Sequence, residues 1–258
     1  MRVLGLTVGR NEADRYLVPM LKHMGGVLDK HFFFDDQSDD RTPYLVAEYS
    51  QAYLVRRMDD EASFVENEGA FRAAAWQAFE AYLAPQVGDW VLVIDCDEVL
   101  VPRELTGQIE KFGLAKMTRT WLESAIYGTS APIVLSIPEV WGFAEDGRPL
   151  IRNDGQWGNI FAPRLFPYQP GAAFAQGGFG TPAVPSYVQA RQPAQTERLY
   201  LMHYGYADRR DWKAKYERYS GHLGHSNAHV ESIKDRRQME TYTWALPYVK
   251  EMRRAPDS

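Results

Sequence analysis

Cysteine is almost absent: Cys96 is the only one in 258 residues, so no intramolecular disulfide framework is possible and a reducing cytoplasm is the expected compartment. Long apolar runs are missing too. Stretches such as Trp90 to Ile94 fall far short of the ~20 residues a membrane-spanning helix needs. Met1 to Val8 is short, and charged residues follow at once, unlike a secretory leader. There is no basic excess, and a formal net charge of −5 argues against a general nucleic-acid coat protein. The charge is uneven, because residues 191–258 hold 13 Lys and Arg against 9 Asp and Glu; such a tail is a solvated face or an anion-binding contribution. Internal repeats are lacking. No Gly-rich phosphate loop follows the first apolar run either: VGRNEAD has one glycine where such loops need several, which weakens a nucleotidyltransferase reading.

What is present is an alternation of strand and helix signals over the first hundred residues, the signature of a mainly parallel sheet with helices on its faces. Val3 to Val8 reads as a buried first strand. Leu17, Met20, Leu21 and Met24 follow at helical spacing, with Pro19 tolerable only if that helix begins near Tyr16. His31 to Phe34 and Ala52 to Val55 read as strands. A helix carries Phe71, Ala74, Ala75, Ala78, Phe79 and Tyr82 on one face, and Trp90 to Ile94 is the next strand. Further on, Ile133 to Ile137 and Arg198 to Leu201 look extended. The Gly-, Pro- and Ala-rich span Ala172 to Pro193 reads as loop. Arg210 to Leu223 and Val230 to Thr241 read as helices, the first with Trp212, Tyr216 and Tyr219 on one stripe. The expected organisation is one α/β domain in two halves, 1–100 and 101–258.

The chemistry concentrates at strand ends. Trp90 to Ile94 delivers Asp95 and Asp97, which would point the same way if the extended conformation persists. In open α/β sheets, ligands bind beyond the carboxyl ends of the strands. Paired carboxylates there suit Mg²⁺ or Mn²⁺, which would bridge a diphosphate and stabilise its departure. The bland alternative is a pair of solvated loop acids. A second cluster, Asp35-Asp36-Gln37-Ser38-Asp39-Asp40, ends the strand His31 to Phe34; it either adds to a negative field that needs a cation or donor ligand, or caps its own backbone.

Taken in order, LTVGRNEADRYL, FFFDDQSDDRT, NEGAFRAAAWQAF and GDWVLVIDCDEVL resemble the family-2 glycosyltransferases, especially compact bacterial and phage members. The resemblance implies a GT-A-like Rossmann-type sheet with helices on both faces. Residues 1–100 would form the nucleotide-sugar-binding half and 101–258 the acceptor-binding half. It implies that Asp36 accepts from the nucleotide base, expected to be uracil, that Asp95 meets the ribose or metal shell, and that Asp97 ligates the metal. Arg72 would face the nucleotide. NIFAPRLFPYQPG and LYLMHYGYADRRDWKAKYERY resemble the later part of the same group, which makes His203 a candidate metal ligand and Lys215 and Arg218 candidates for the donor diphosphate. A structural histidine and a solvent-facing basic stripe are the plain alternatives. Some relatives carry a His-Glu pair where this chain reads FAQGGFGTPAV, so the base stays open among Asp154, Glu139, Glu145 and Asp146. Asp154 is preferred because it lies beside Trp157, an aromatic suited to stacking on a sugar.

The implied reaction is transfer of a hexose from a UDP-sugar, with inversion, dependent on Mn²⁺ or Mg²⁺. The acceptor would be a glycan, a protein side chain, a lipid-linked sugar or a modified nucleic-acid base, DNA being disfavoured by the net charge. The Gly-rich loop around Gly177 to Gly180 would form a lid against water. Two other classes compete. IDCDEVLV also looks like the nucleophile motif of haloacid-dehalogenase-like phosphatases, although that motif follows the first core strand rather than the fourth. A non-catalytic carbohydrate-binding module would account for an aromatic content of 13%, but not for two acidic clusters.

Overall fold

The computed structural model describes residues 1–49, 51–57, 67–103, 113–153, 160–177, 180–223, 227–234 and, by backbone alone, 239–241. Its first half supplies four parallel strands, β1 (Val3–Gly9), β2 (Lys30–Asp35), β3 (Ala52–Arg56) and β4 (Trp90–Val93), in the order β3-β2-β1-β4. Between them come α1 (Leu17–Met24), α2 (Thr42–Ala47) and α3 (Glu68–Leu83). Local chemistry sets the helix ends. Pro19 falls in the first turn of α1, where its missing N–H costs nothing. The Asn67 side chain caps α3 by accepting from Ala70 N, and Ala84 in the left-handed region closes it ahead of Pro85.

Both faces of the sheet are apolar, and the residues alternate. Val3, Phe33, Trp90, Leu92 and Ile94 pack with Leu17, Met20, Leu21 and Met24 on one side. Leu4, Leu6, Phe32, Phe34, Val91 and Val93 pack with Phe71, Ala75, Trp76 and Phe79 on the other. Each fully buried side chain of this kind contributes about 1.5–3 kcal/mol. The buried stripe of α3 is turned slightly from the expected one: Trp76 and Leu83 join it, and Tyr82 is exposed.

The second half extends the same sheet. After β5 (Glu98–Pro102) and α4 (Leu114–Ile126) come β6 (Ile133–Ile137), β7 (Val140–Phe143), β8 (Pro149–Arg152) and β9 (Ile160–Pro167). The short α5 (Ser186–Gln189), β10 (Ala194–His203), α6 (Arg209–Leu223), α7 (Ala228–Ile233) and β11 (Met239–Thr241) follow. The eight strands run β3-β2-β1-β4-β9-β6-β10-β5, with β9 and β5 antiparallel to their neighbours, while β11-β8-β7 form a small second sheet. This is the α/β, Rossmann-type single domain expected. Two local expectations are corrected. The span read as one helix from Val230 to Thr241 divides, because residues 239–241 pair with β8. The extended conformation expected to carry both Asp95 and Asp97 does not persist: the chain turns after Val93, and β5 begins at Glu98.

That last connection shapes the sheet. β4 and β5 stand four strand positions apart, about 19 Å in a flat sheet. The chain from Val93 to Glu98 reaches at most about 18 Å, and a turn closed by Glu98 N donating to Asp95 O (3.0 Å) shortens it further. The sheet therefore curls, and its far strands meet the end of β4.

Candidate active site

Strand order reverses between β1 and β4, the switch point at which open α/β sheets leave a crevice. A cavity of about 480 Å³ lies there, within the range of small-molecule sites. Its wall includes Asp36 from the end of β2, Arg10 to Glu12 and Arg15 from the β1–α1 connection, Asp95 and Asp97 after β4, and Arg72 of α3. His203 ends β10, and Lys215 and Arg218 come from α6.

The two acidic segments reach the wall by different routes. In the Asp35–Asp40 turn most groups serve the backbone: Asp35 Oδ2 accepts from Ser38 N, and Asp40 accepts from Thr42 N and Ala13 N. Ser38 Oγ accepts from Asn11 N and Asn11 Oδ1 from Asp39 N, so this turn and the Asn11-Glu12 segment form one knot. Asp36 alone opens onto the cavity; it is buried, and Arg57 Nε donates to its Oδ1 at 3.0 Å. Asp95 and Asp97 do not sit on an extended strand as expected, but flank the turn into β5. Asp95 N donates to Glu98 Oε2 (2.9 Å), and Arg164 of β9 approaches both Asp95 (3.5 Å) and Glu98 (3.2 Å).

Asp97 is the centre of the site's ion pairing. Lys215 Nζ donates to Asp97 Oδ2 at 3.1 Å and to His203 Nε2 at 3.0 Å, and lies 4.6 Å from the centroid of the Tyr206 ring. Trp141 stacks on Tyr206 with centroids 5.0 Å apart. Arg15 Nη2 stands 3.7 Å from Asp97 Oδ2, while its other nitrogens hold Glu12 and Asp211. Burial pushes the Asp97 carboxyl up, but the Lys215 ammonium above all, with Arg15, holds it well below the usual carboxylate range. For Glu12 the balance falls the other way. Burial raises it to about 7 despite Arg15, and burial likewise takes Glu98 to about 7 against Arg164.

Of the residues singled out in the sequence, Asp36, Arg72, Asp95, Asp97, His203, Lys215 and Arg218 all line this one cavity. Arg72 is engaged by Glu68, whose second oxygen accepts from Gly180 N (2.8 Å) and Thr181 N (3.1 Å). Of the candidate bases, Glu139, Glu145 and Asp146 do not line the cavity. Glu139 is buried, takes a hydrogen bond from Trp141 Nε1 (3.0 Å) and faces Arg152 at 3.5 Å. Glu145 and Asp146 are exposed in the β7–β8 hairpin turn, Asp146 holding Arg148. Asp154 and Trp157, like Gly178 and Phe179 of the expected lid, lie outside the described residues; the flanks of that segment are tied to α3 through Glu68 and through Gly69 N donating to Gly177 O.

Four wall or support residues escape a reading of the sequence. Glu12 sits in the Asn-Glu motif, and Glu98 completes the Asp-Cys-Asp-Glu run, so both carry a signal. Arg15 and Arg164 carry none, because their partners lie far along the chain.

The metal implied by the resemblance meets a poor fit. Among the described residues, no group of three or more His, Cys, Asp or Glu side chains has a metal-holding arrangement. Asp97 and His203 adjoin at 3.5 Å, but Asp95 turns to Arg164, and the Lys215 ammonium stands between the other two.

These features define an α/β protein with a polar, charge-rich cleft at the carboxyl edge of its parallel strands. No family model matches the chain, and comparison with well-characterised proteins finds no match. Among solved structures it is similar to a 4-diphosphocytidyl-2C-methyl-D-erythritol synthase, at 14% identity and a TM-score of 0.37, over 64% of this chain and 75% of that one. It is also similar to mannosyl-3-phosphoglycerate synthase from Rubrobacter xylanophilus (15%, 0.31, 60% and 43%) and to HddC from Yersinia pseudotuberculosis (8%, 0.32, 65% and 77%). Likeness at this level says nothing of chemistry, which is read from the cavity's own side chains. No helix among the described residues is long and apolar enough to cross a membrane.

Proposed function

We propose that this chain is a glycosyltransferase that binds a nucleoside-diphosphate sugar, a UDP-hexose by the resemblance, and passes the sugar to an acceptor hydroxyl. One observation carries the reading: Asp36 and Asp97, delivered by different strands, open onto the same cavity at the switch point, with Arg10, Arg15, Lys215 and Arg218 in its wall. An acid in the wall, Asp36, suits the donor groups of a base, and the cations suit a diphosphate. In the proposed reaction the acceptor oxygen attacks the anomeric carbon opposite the diphosphate. The bond from that carbon to the phosphate oxygen breaks, and its electron pair leaves with the nucleoside diphosphate. The acceptor proton passes to a carboxylate. Asp154 is the proposed acceptor of that proton from its sequence context; Glu12 is the second reading, favoured by its place in the wall and its rise toward neutrality. Fixed positive charge stabilises the departing diphosphate without reorganisation.

Calorimetric titration of UDP, GDP, CDP and ADP tests the proposal, followed by assay of sugar release from the matching nucleotide-sugar. UDP should bind, and Asp36→Ala should weaken it by about tenfold or more, roughly 1.4 kcal/mol. Absence of binding by all four nucleotides would defeat the reading. Phosphate release from simple esters would instead favour the phosphatase class.

A further inference from the structure

We propose that Lys215 is the resident cation of this site: its ammonium takes the position between Asp97 and His203 where a divalent ion is expected, so that nucleotide-diphosphate binding needs no metal. The inference rests on the proposed nucleotide reading for its ligand, but on the molecule's own side chains for its cation.

Three observations carry it. The ammonium has a built seat. It donates to Asp97 Oδ2 at 3.1 Å and to His203 Nε2 at 3.0 Å, and meets the face of Tyr206, itself held by Trp141. Lys215 and Asp97 are each no more than a tenth exposed, so the lysine is a fixed charge and not a mobile surface chain. Second, the backbone is shaped around it. Gly205 follows the strand that carries His203, and a Cβ there would overlap Lys215 Nζ and Asp97 Oδ2 and crowd His203 Nε2. Any side chain at position 205 would expel the ammonium. Third, the charge balance is already met. Asp97 faces both Lys215 and Arg15, so a divalent ion added beside them would meet two positive neighbours before it met a free carboxylate. Arg10 and Arg218 also line the cavity, and neither has a carboxylate within ion-pair distance among the described residues. They are left to face a diphosphate directly.

The role of the lysine is thus electrostatic: it neutralises the Asp97 carboxylate, which would otherwise repel phosphate, and keeps that balance without a dissociable ion. Two readouts test this. The first uses the native chain, freed of metal with chelator, and follows the electron paramagnetic resonance signal of added equimolar Mn²⁺; the signal should stay that of free ion. The second is titration of UDP in EDTA and in Mn²⁺, on the native chain and on Lys215→Met, which keeps the apolar stem without the charge. Native affinities in the two buffers should agree within about twofold. Lys215→Met should bind about tenfold more weakly in EDTA, and Mn²⁺ should restore part of the loss.

The inference is overturned if the native chain captures Mn²⁺ and Asp97→Asn releases it, or if Mn²⁺ tightens native UDP binding about tenfold. It is equally overturned if Lys215→Met, checked for native circular dichroism, binds UDP in EDTA as the native chain does. Failure of the nucleotide reading looks different. UDP would then bind in neither buffer while the native chain still left Mn²⁺ free, and the resident cation would stand without its proposed ligand.

Discussion

Replacing Lys215 by methionine removes one charge from a pair in which neither side chain is more than a tenth exposed. Stripping one partner from a buried pair costs about 3–5 kcal/mol, because the surviving charge is stranded in a poorly polarisable surrounding. Here the stranding is incomplete. Arg15 Nη2 remains 3.7 Å and His203 Nε2 3.5 Å from the Asp97 carboxylate. The expected loss therefore falls below that range, at about 2–3 kcal/mol. In a chain of this size each kcal/mol moves the melting temperature by about 2–4 °C, so Lys215→Met should melt roughly 4–12 °C below the native protein. Thermal unfolding followed by far-ultraviolet circular dichroism, in low salt with EDTA, reads this directly. Adding Asp97→Asn removes the stranded charge, and the double variant should recover about 1–2 kcal/mol relative to the single one. A single variant melting within about 2 °C of native, or a double variant melting lower than the single, would refute the pairing.

Glu12 titrates from a raised position, so its neutral form is favoured in the folded chain: native stability should decline as pH rises from the ordinary glutamate value through about 7, then level. Glu12→Gln should lack this decline, and melting curves of both proteins at about pH 5 and pH 8 measure the difference. Asp89 behaves oppositely. Burial pushes it up, but hydrogen bonds from Arg2 and Gln86 N hold it below the usual range, so its contribution is present above the unfolded value and lost as pH falls through the folded one. Asp89→Asn should cost about 1.5–3 kcal/mol near neutrality and much less at about pH 3, as read by urea unfolding. At Gly69 two effects compete. Alanine would gain about 1 kcal/mol of helix propensity, yet its Cβ would overlap the Ala175 carbonyl oxygen and disturb the bond from Gly69 N to Gly177 O. Overlap should win, lowering the urea midpoint of Gly69→Ala; a higher midpoint would show that this packing is misjudged.

The first hundred residues are largely legible because their order is local. Short, nearly continuous apolar runs in LGLTV, HFFF and WVLVI mark strands buried on both faces, and Pro19, Asn67 and Pro85 mark helix ends. The second half is less so. Its strands pair in the order β9-β6-β10-β5, which no periodicity encodes, and Met239 to Thr241 is a strand only because β8 lies beside it. α4 escapes a reading of the sequence because its buried residues, Met117, Thr118, Leu122 and Ile126, mix apolar with polar types. At the site, residue types at strand ends are visible, but partnerships are not. Lys215 and Arg218 look alike, one helical turn apart; only tertiary packing buries the first and leaves the second exposed. Likewise Arg15 meets Asp211 across 196 residues of sequence.

The link from Ile94 to Asp97 is both tether and workplace. Cinching β5 toward β4 makes this stretch a belt whose length sets the bend of the whole sheet, and Tyr204 N fastens onto it at Asp97 O (2.8 Å). The number of residues there matters as much as their chemistry. One extra residue would slacken the belt, carry Asp97 away from Tyr204 and His203, and loosen architecture and chemistry in the same stroke.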